Sequence, residues 1–436
     1  MEKKLGWRTW LTLILVGLFG QFAWTIENMY FNVFLYNTIS TDPGYIAAMV
    51  AWSAGAATVT TLVMGALSDR VGKRKIFICV GYLLWGLSTA AFGYVTPENA
   101  ARLFPGANGV ASAAMLVVIL DCVMTFFGSS ANDAAFNAYV TDVTESGNRG
   151  RAESVLAILP LVSMLIIFGA FDGLTQQGRW REFFNIFGLA VSAVGVLCLF
   201  LVKDVPGLKP RKGNYLRELL YGLDPRVWRA NPDLYVSLGA FCLFSIAFQI
   251  CYPYLIVYIQ NYLHINDYAI VLGVVLILAS LASVLSGRWI DKIGKLRFSL
   301  PAAGIMFLGL LGMYVVRGRI GVIVAGTVMM SGYMMLSAAL SANIRDWTPE
   351  DQAGHFQGIR MIFAVLLPMI IGPWIGAAVI RSSDSTYIEL GQVKTVPTPG
   401  IYLAAAIALL TILVPILVLR SREKRAVRNS EFGVRK

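Results

Sequence analysis

Two carboxylic acids lie where a carboxylate is expensive. Glu27 sits in an apolar run over residues 10–38, and Asp121 in another over 111–139. A charge at the middle of a bilayer costs about 3 kcal/mol or more, so such a group is expected to pair, to bind, or to carry a proton. Each lies about ten residues from the outer end of its run. Two helices of opposite direction therefore bring both to a similar depth, roughly 15 Å below the outer surface. A carboxyl there can take a proton from one side and release it to the other. Glu27 is the main candidate for proton coupling and Asp121 the second. Hydrogen bonding to a neighbouring helix is the competing reading for Glu27. The polar stripe of its helix is Gln21, Thr25, Asn28 and Asn32, and Glu27 lies about 100–120° from the centre of that stripe.

Binding residues are sought on the same faces. Gln21, Asn28 and Asn32 supply amides on the first helix, and Trp24 supplies a ring for stacking. Asp121, Thr125, Gly128 and Asn132 form one stripe on the fourth. On the seventh, Gln249, Tyr252 and Tyr258 flank Pro253, a residue that interrupts the backbone ladder and commonly marks a bend. Amphipathic aromatics beside an amide suit a polyol, by stacking and hydrogen bonding. Packing or interfacial anchoring is the plainer reading of each. Asp172, near the outer end of the fifth helix, is expected to snorkel.

The elements that must position these residues are readable from hydropathy. The chain is 57% hydrophobic with only 14% charged residues, against roughly 25% charged in soluble domains. About twenty apolar residues span a bilayer core. Twelve runs qualify: 10–38, 45–67, 76–95, 111–139, 154–176, 183–202, 234–262, 268–287, 297–316, 320–344, 356–380 and 400–420. They are too long and too little alternating for barrel strands. The expected class is an all-α membrane protein of twelve transmembrane helices in two six-helix pseudo-symmetric halves. The first run is too long for a signal peptide and contains Glu27, so it reads as a retained helix.

Basic residues orient the chain. Of 36 Lys and Arg, only Arg102, Arg179, Arg181, Arg317, Arg319, Arg381 and Lys394 fall in the loops on one side, and Arg360 lies within a helix. The rest gather on the other side, which places both termini in the cytoplasm and the protein in the cell membrane. The net charge of +11 therefore reflects topology, and no nucleic-acid partner is expected. The domains read as 1–202, a six-helix bundle; 203–233, a cytoplasmic linker with a short surface helix around 215–221; and 234–436, a second bundle with a basic tail.

Enzyme chemistry finds little support. The sequence has no G-x-x-x-x-G-K-[ST], no H-E-x-x-H and no G-x-S-x-G. Five cysteines in apolar runs and two histidines give neither a metal site nor a disulfide frame. No cofactor is expected.

An internal repeat fixes the architecture. Gly65-Ala-Leu-Ser-Asp69-Arg70-Val-Gly72-Lys73-Arg74-Lys75 follows the second run. Gly287-Arg-Trp-Ile-Asp291-Lys292-Ile-Gly294-Lys295-Leu-Arg297 follows the eighth, at a constant offset of 222 residues. A weaker echo aligns Asp142–Gly150 with Asp346–Gly354 at an offset of 204. Such periods mean duplicated units. Gly72 and Gly294 permit a tight turn with positive φ.

This loop resembles the signature loop of the major facilitator superfamily, whose halves are related by an axis along the membrane normal. The resemblance implies that helices 1, 4, 7 and 10 line a central cavity, and that the loop aspartate holds the halves together on the cytoplasmic side. Asp69, Arg70 and Gly72 would form that gate. Asp291 is the weaker copy, because Lys292 stands for Arg and Leu296 interrupts the basic run. Asp133 and Arg360, near cytoplasmic helix ends, are assigned to the same charge network. Asn132-Asp133-Ala-Ala-Phe-Asn137, followed by Asp142 and Arg149-Gly-Arg151, is similar to the glycoside–cation symporter and sucrose-transporter-like branch. Helix 2 lacks the paired aspartates of its sodium-coupled type. The expected function is secondary active transport of a small organic solute by alternating access, as proton-coupled symport of a sugar or related compound. A proton-antiport exporter of drugs or metabolites, or a uniporter, remains open. The expected partners are the solute, protons and the lipid bilayer, with the chain a monomer.

Overall fold

The computed structural model describes residues 5–144, 146–204, 223–348, 356–383, 386–389 and 392–433. The surface helix expected around 215–221 lies outside them. Among the described residues, twelve helices are long and apolar enough to cross a membrane. They are α1 (Trp7–Thr38), α2 (Pro43–Val71), α3 (Lys75–Tyr94), α4 (Gly109–Val143), α5 (Ser154–Gln176), α6 (Trp180–Leu201), α7 (Pro232–Tyr262), α8 (Tyr268–Gly287), α9 (Lys295–Val315), α10 (Arg319–Trp347), α11 (Gly358–Ser382) and α12 (Gly400–Glu423). The class is all-α. Outside the spans, Thr386–Glu389 and Gln392–Thr395 pair as an antiparallel hairpin. Its β-branched and aromatic residues suit strands, and helical periodicity does not reveal it.

Helix ends obey local chemistry. Asp42 accepts a hydrogen bond from the Gly44 N–H at 2.9 Å, with Pro43 at the first helical position of α2, where its missing N–H costs nothing. Asn108 caps α4 through the Val110 N–H at 3.0 Å. At the far end of α2, Gly72 takes φ +65°, a left-handed conformation that a side chain would resist.

Contacts divide the chain into two compact units, Met1–Asn214 and Tyr215–Lys436. In the first, α1 packs on α5 and α6, α3 on α6, and α4 on α2 and α3. Phe31 and Phe92 stack at 3.8 Å beside Phe184. In the second, α10 packs on α8 and α9, and α7 on α11 and α12. Outward faces carry apolar side chains such as Val284 (77% exposed) and Phe200 (70%), as lipid contact requires.

Small residues let backbones approach. A Cβ on Gly86 of α3 would collide with the Gly188 carbonyl and Ser192 of α6. Gly86→Val is therefore expected to lower stability by about 1–3 kcal/mol, the usual cost of overpacking. A thermal unfolding midpoint equal to that of wild type would refute this contact.

Several spans contain π turns: Ile26–Tyr30 in α1, Ser129–Phe136 in α4, Ile167–Phe171 in α5, Tyr258–Tyr262 in α7 and Ile362–Leu366 in α11. A π turn adds a residue and rotates the downstream part of the helix by about 100°, one residue's worth of α-helix. That rotation governs which side chains meet.

Candidate functional site

Glu27 lies inside the first π turn, 8% exposed. Its Oε1 accepts hydrogen bonds from the Ser53 hydroxyl of α2 at 2.7 Å and the Thr125 hydroxyl of α4 at 2.9 Å. Those hydroxyls are 2.9 Å from each other. Asp121, 1% exposed, is buried close enough to Glu27 for the two acids to act on each other. Glu27 Oε2 and Asp121 Oδ1 have no partner among the described residues. Three helices thus bring two acids and two hydroxyls into one buried cluster. Among the described residues, the charges acting on the acids are each other and Asp133, with no cation among them. Ionising both acids there would leave two uncompensated buried charges, each costing several kcal/mol.

Towards the other end of α4, a cleft of about 320 Å³ is lined by Gln21 and Trp24 of α1, Asn132, Asp133, Phe136 and Asn137 of α4, and Leu156, Ala157 and Leu159 of α5. Asp133 accepts from Ser129 at 3.1 Å. The Tyr82 hydroxyl lies 2.8 Å from the Val16 carbonyl and 3.0 Å from Asn132 Oδ1, one hydrogen shared between two acceptors. Trp24 packs against Trp85 at 4.9 Å.

The expected stripe on α1 is divided. Gln21 and Trp24 face the cleft, while Thr25 faces α5 through Ser163 at 2.9 Å. Asn28 and Asn32 donate back to the Trp24 and Asn28 carbonyls of their own helix, although Asn32 Oδ1 is left without a partner among the described residues. Glu27, off that stripe as the helical period implies, points between α2 and α4. Asp172 does not snorkel: it is 2% exposed and accepts from Tyr30 at 2.9 Å and Gln176 at 2.6 Å. The donors reaching it from α1 and its own helix satisfy the carboxylate internally.

The loop after α2 is organised by Arg74, 5% exposed. Its guanidinium pairs with Asp69 at 2.5 Å and Asp142 at 3.0 Å and donates to Ser68 at 2.7 Å. Burial pulls its proton affinity down, but hydrogen bonds and charge from Asp142 and Asp69 more than offset that, so its pKa stands above the ordinary value. Asp204 accepts from the backbone N–H groups of Arg74 and Lys75 at 2.7 and 2.9 Å. Arg70 is exposed, and Asp133 lies in the cleft wall instead of joining Asp69. The second unit repeats the pairing with weaker means. Lys295, one position before the counterpart of Arg74, binds Asp346 at 2.5 Å with both side chains partly exposed. Asp346 is the residue that the 204-residue echo aligns with Asp142. The Asp291 side chain lies outside the described set.

In the second unit, Tyr258 is fully buried with its hydroxyl unpartnered among the described residues. Its ring stacks on Tyr262 and meets Tyr402 edge-on at 5.0 Å. Tyr252 stacks on Phe248 at 4.8 Å, and a 3-10 turn over Tyr252–Tyr254 interrupts the α-helix at Pro253. Gln249 packs against Gly372 of α11, its Oε1 unpartnered among the described residues. Arg360 is exposed and lines, with Arg345 and Thr348, a cavity of about 240 Å³ over Leu234, Leu238 and Phe356.

Sequence reasoning missed Ser53 and Arg74. Ser53 is a lone hydroxyl among Trp52, Ala54 and Gly55 and carries no signal. Arg74 was one of several basic residues in a loop already explained by topology; the paired echo of Asp142 was the available clue.

The family model described as Major Facilitator Superfamily matches residues 13–337 and 267–435. No curated protein sequence matches the chain. Among solved structures, the nucleoside transporter NupG superposes with a TM-score of 0.69 at 12% identity, covering 94% of this chain and 98% of that one. A bacterial homolog of the human lysosomal transporter Spinster gives 0.66 at 13%, covering 98% of each. The xylose transporter XylE from E. coli gives 0.63 at 14%, covering 92% and 97%. At these identities the likeness is one of fold.

Proposed function

The chain belongs to the Major Facilitator Superfamily and is a membrane transporter; from that premise we propose that it moves a polyhydroxylated organic solute by alternating access, in symport with protons. The observation that carries the proton is the buried Glu27, held by two hydroxyls with no cation among the described residues acting on it. A carboxyl so placed is cheap to bury neutral and costly to bury charged, which suits a group loaded and unloaded once per cycle. Glu27 and Asp121 are the coupling acids.

The solute would meet the cleft below. Gln21, Asn132 and Asn137 offer amide donors and acceptors, Asp133 an acceptor, and Trp24 an apolar ring, a combination that suits hydroxyl-rich rings. NupG and XylE carry a nucleoside and a sugar respectively, solutes of this chemistry. Gln249, Tyr252 and Tyr258 are the matching candidates in the second unit. The Asp69–Arg74–Asp142 cluster, with Gly72, forms the cytoplasmic gate in this reading, and both termini are cytoplasmic.

Uptake of radiolabelled monosaccharides and nucleosides into proteoliposomes tests this. An inward proton gradient is expected to drive accumulation of one of them above its outside concentration, and a protonophore to abolish it. Uptake that only equilibrates, whatever the gradient, refutes the coupling.

A further inference from the structure

We propose that the cavity lined by Arg345 and Arg360, where α7, α10 and α11 end, is a binding site for the headgroup phosphate of an anionic phospholipid. The site lies wholly within the second unit and depends on neither the transported solute nor the proton.

An inventory of charge leads there. Arg345 of α10 and Arg360 of α11 line the cavity, and Leu234, Leu238, Ile344 and Phe356 form a buried apolar floor beneath them. The two guanidiniums are close enough to act on each other as like charges. Neither belongs to an ion pair among the described residues. Two acids adjoin the lining in sequence, and both are engaged elsewhere. Asp346, next to Arg345, binds Lys295 of α9. Asp233, next to Leu234, binds Arg422 of α12 at 3.1 Å. No described residue of the lining is itself an acid. The Thr348 hydroxyl donates to the Ile344 carbonyl at 2.7 Å, so the donors left for a ligand are those of the guanidiniums. Each offers five N–H groups in a planar fork that fits phosphate oxygens two at a time.

Size, position and charge together select the class of anion. The volume of about 240 Å³ falls below the roughly 300–1,000 Å³ of pockets that enclose a drug-sized ligand, so the cavity suits a headgroup and not a whole solute. Its lining comes from the first two turns of α7, the last turn of α10 and the start of α11, which is the depth of lipid headgroups. This end is cytoplasmic in the orientation proposed above, the side on which basic pockets between transmembrane helices take anionic headgroups. Aromatic residues mark the same level. Trp228, 44% exposed on the short helix Pro225–Ala230, packs on Tyr235 at 5.6 Å, and Tyr235 meets Phe356 at 6.5 Å. Trp and Tyr gather where hydrocarbon gives way to water. A zwitterionic headgroup would also bring an ammonium to a lining that has no described acid to receive it. A headgroup with net negative charge avoids that mismatch.

Native mass spectrometry of the full-length protein in detergent, titrated with phosphatidylglycerol or phosphatidylcholine, tests this. Wild type is expected to retain one phosphatidylglycerol about tenfold more tightly than phosphatidylcholine, and Arg345→Gln and Arg360→Gln should each weaken that binding about fivefold, the scale of one basic side chain near an anionic headgroup. Arg360→Lys should keep part of the affinity, because an ammonium holds the charge but lacks the fork. Arg297→Gln, which removes an exposed cation at the start of α9, should leave it unchanged. Inorganic phosphate in excess should not displace the lipid. Equal retention of the two lipids by wild type would overturn the proposal. So would affinity unchanged in both Arg345→Gln and Arg360→Gln, or a matching loss in Arg297→Gln. Displacement by inorganic phosphate would overturn the lipid assignment in favour of a soluble anion. The two arginines hold no ion pair among the described residues, so their glutamine variants should melt with wild type. If either unfolds early, the lipid selectivity of wild type and the phosphate competition still decide the question.

Discussion

Glu27→Gln is expected to abolish proton-driven accumulation, with a loss of about 100-fold, the scale of removing a positioned proton donor. Glutamine is nearly isosteric, and its amide oxygen can accept from Ser53 and Thr125 as Oε1 does at 2.7 and 2.9 Å. Packing among α1, α2 and α4 should therefore survive, and the variant should unfold at the temperature of wild type. It cannot, however, gain and lose a proton. Initial rates and plateau levels of solute uptake, measured in proteoliposomes with and without a proton gradient, separate these effects. A variant that accumulates solute to the wild-type plateau under the gradient would remove Glu27 from the coupling role. A variant that fails only because it unfolds early would show this in its melting curve.

Arg74→Ala should produce the largest loss of stability, about 3–5 kcal/mol, as expected when one partner of a buried ion pair is removed. Arg74 joins Asp69 on α2, Asp142 on α4 and the Ser68 hydroxyl. Its removal leaves two acids facing each other with their shared cation gone. Arg74→Lys should recover only part of the loss, because a single ammonium cannot bridge two carboxylates with the fork of a guanidinium. The same truncation at Lys295 should cost no more than about 1 kcal/mol, since its pair with Asp346 is partly exposed. Melting curves of the three variants in one detergent would check this. Equal losses at Arg74 and Lys295 would show that burial does not set the difference between the two loops.

The contrast between the loops shows how far duplication reaches. The repeat aligns Asp142 with Asp346, and the structure pairs each with a cation from the loop before it. The cation itself has moved by one position, because Leu296 stands where Arg74 would be. A motif comparison finds the loops; the choice of cation depends on which side chain the neighbouring helix end can reach.

Sequence alone determined the twelve spans, their approximate ends, the positive-φ glycines at 72 and 294 and the presence of two acids at hydrocarbon depth. Those properties are one-dimensional: length, hydropathy and turn chemistry act within a few residues of chain, and the bilayer reads them directly. Tertiary structure decided what the acids face. Glu27 meets Ser53 and Thr125 across 26 and 98 residues of sequence, and Asp172 meets Tyr30 across 142. The π turns at Ile26–Tyr30 and Ser129–Phe136 shift the phase of the residues beyond them by about one residue's angle, which a constant helical period does not include. Hydropathy sets depth in the bilayer, but rotation about the helix axis is set by packing against neighbours, and only the packed structure carries that information.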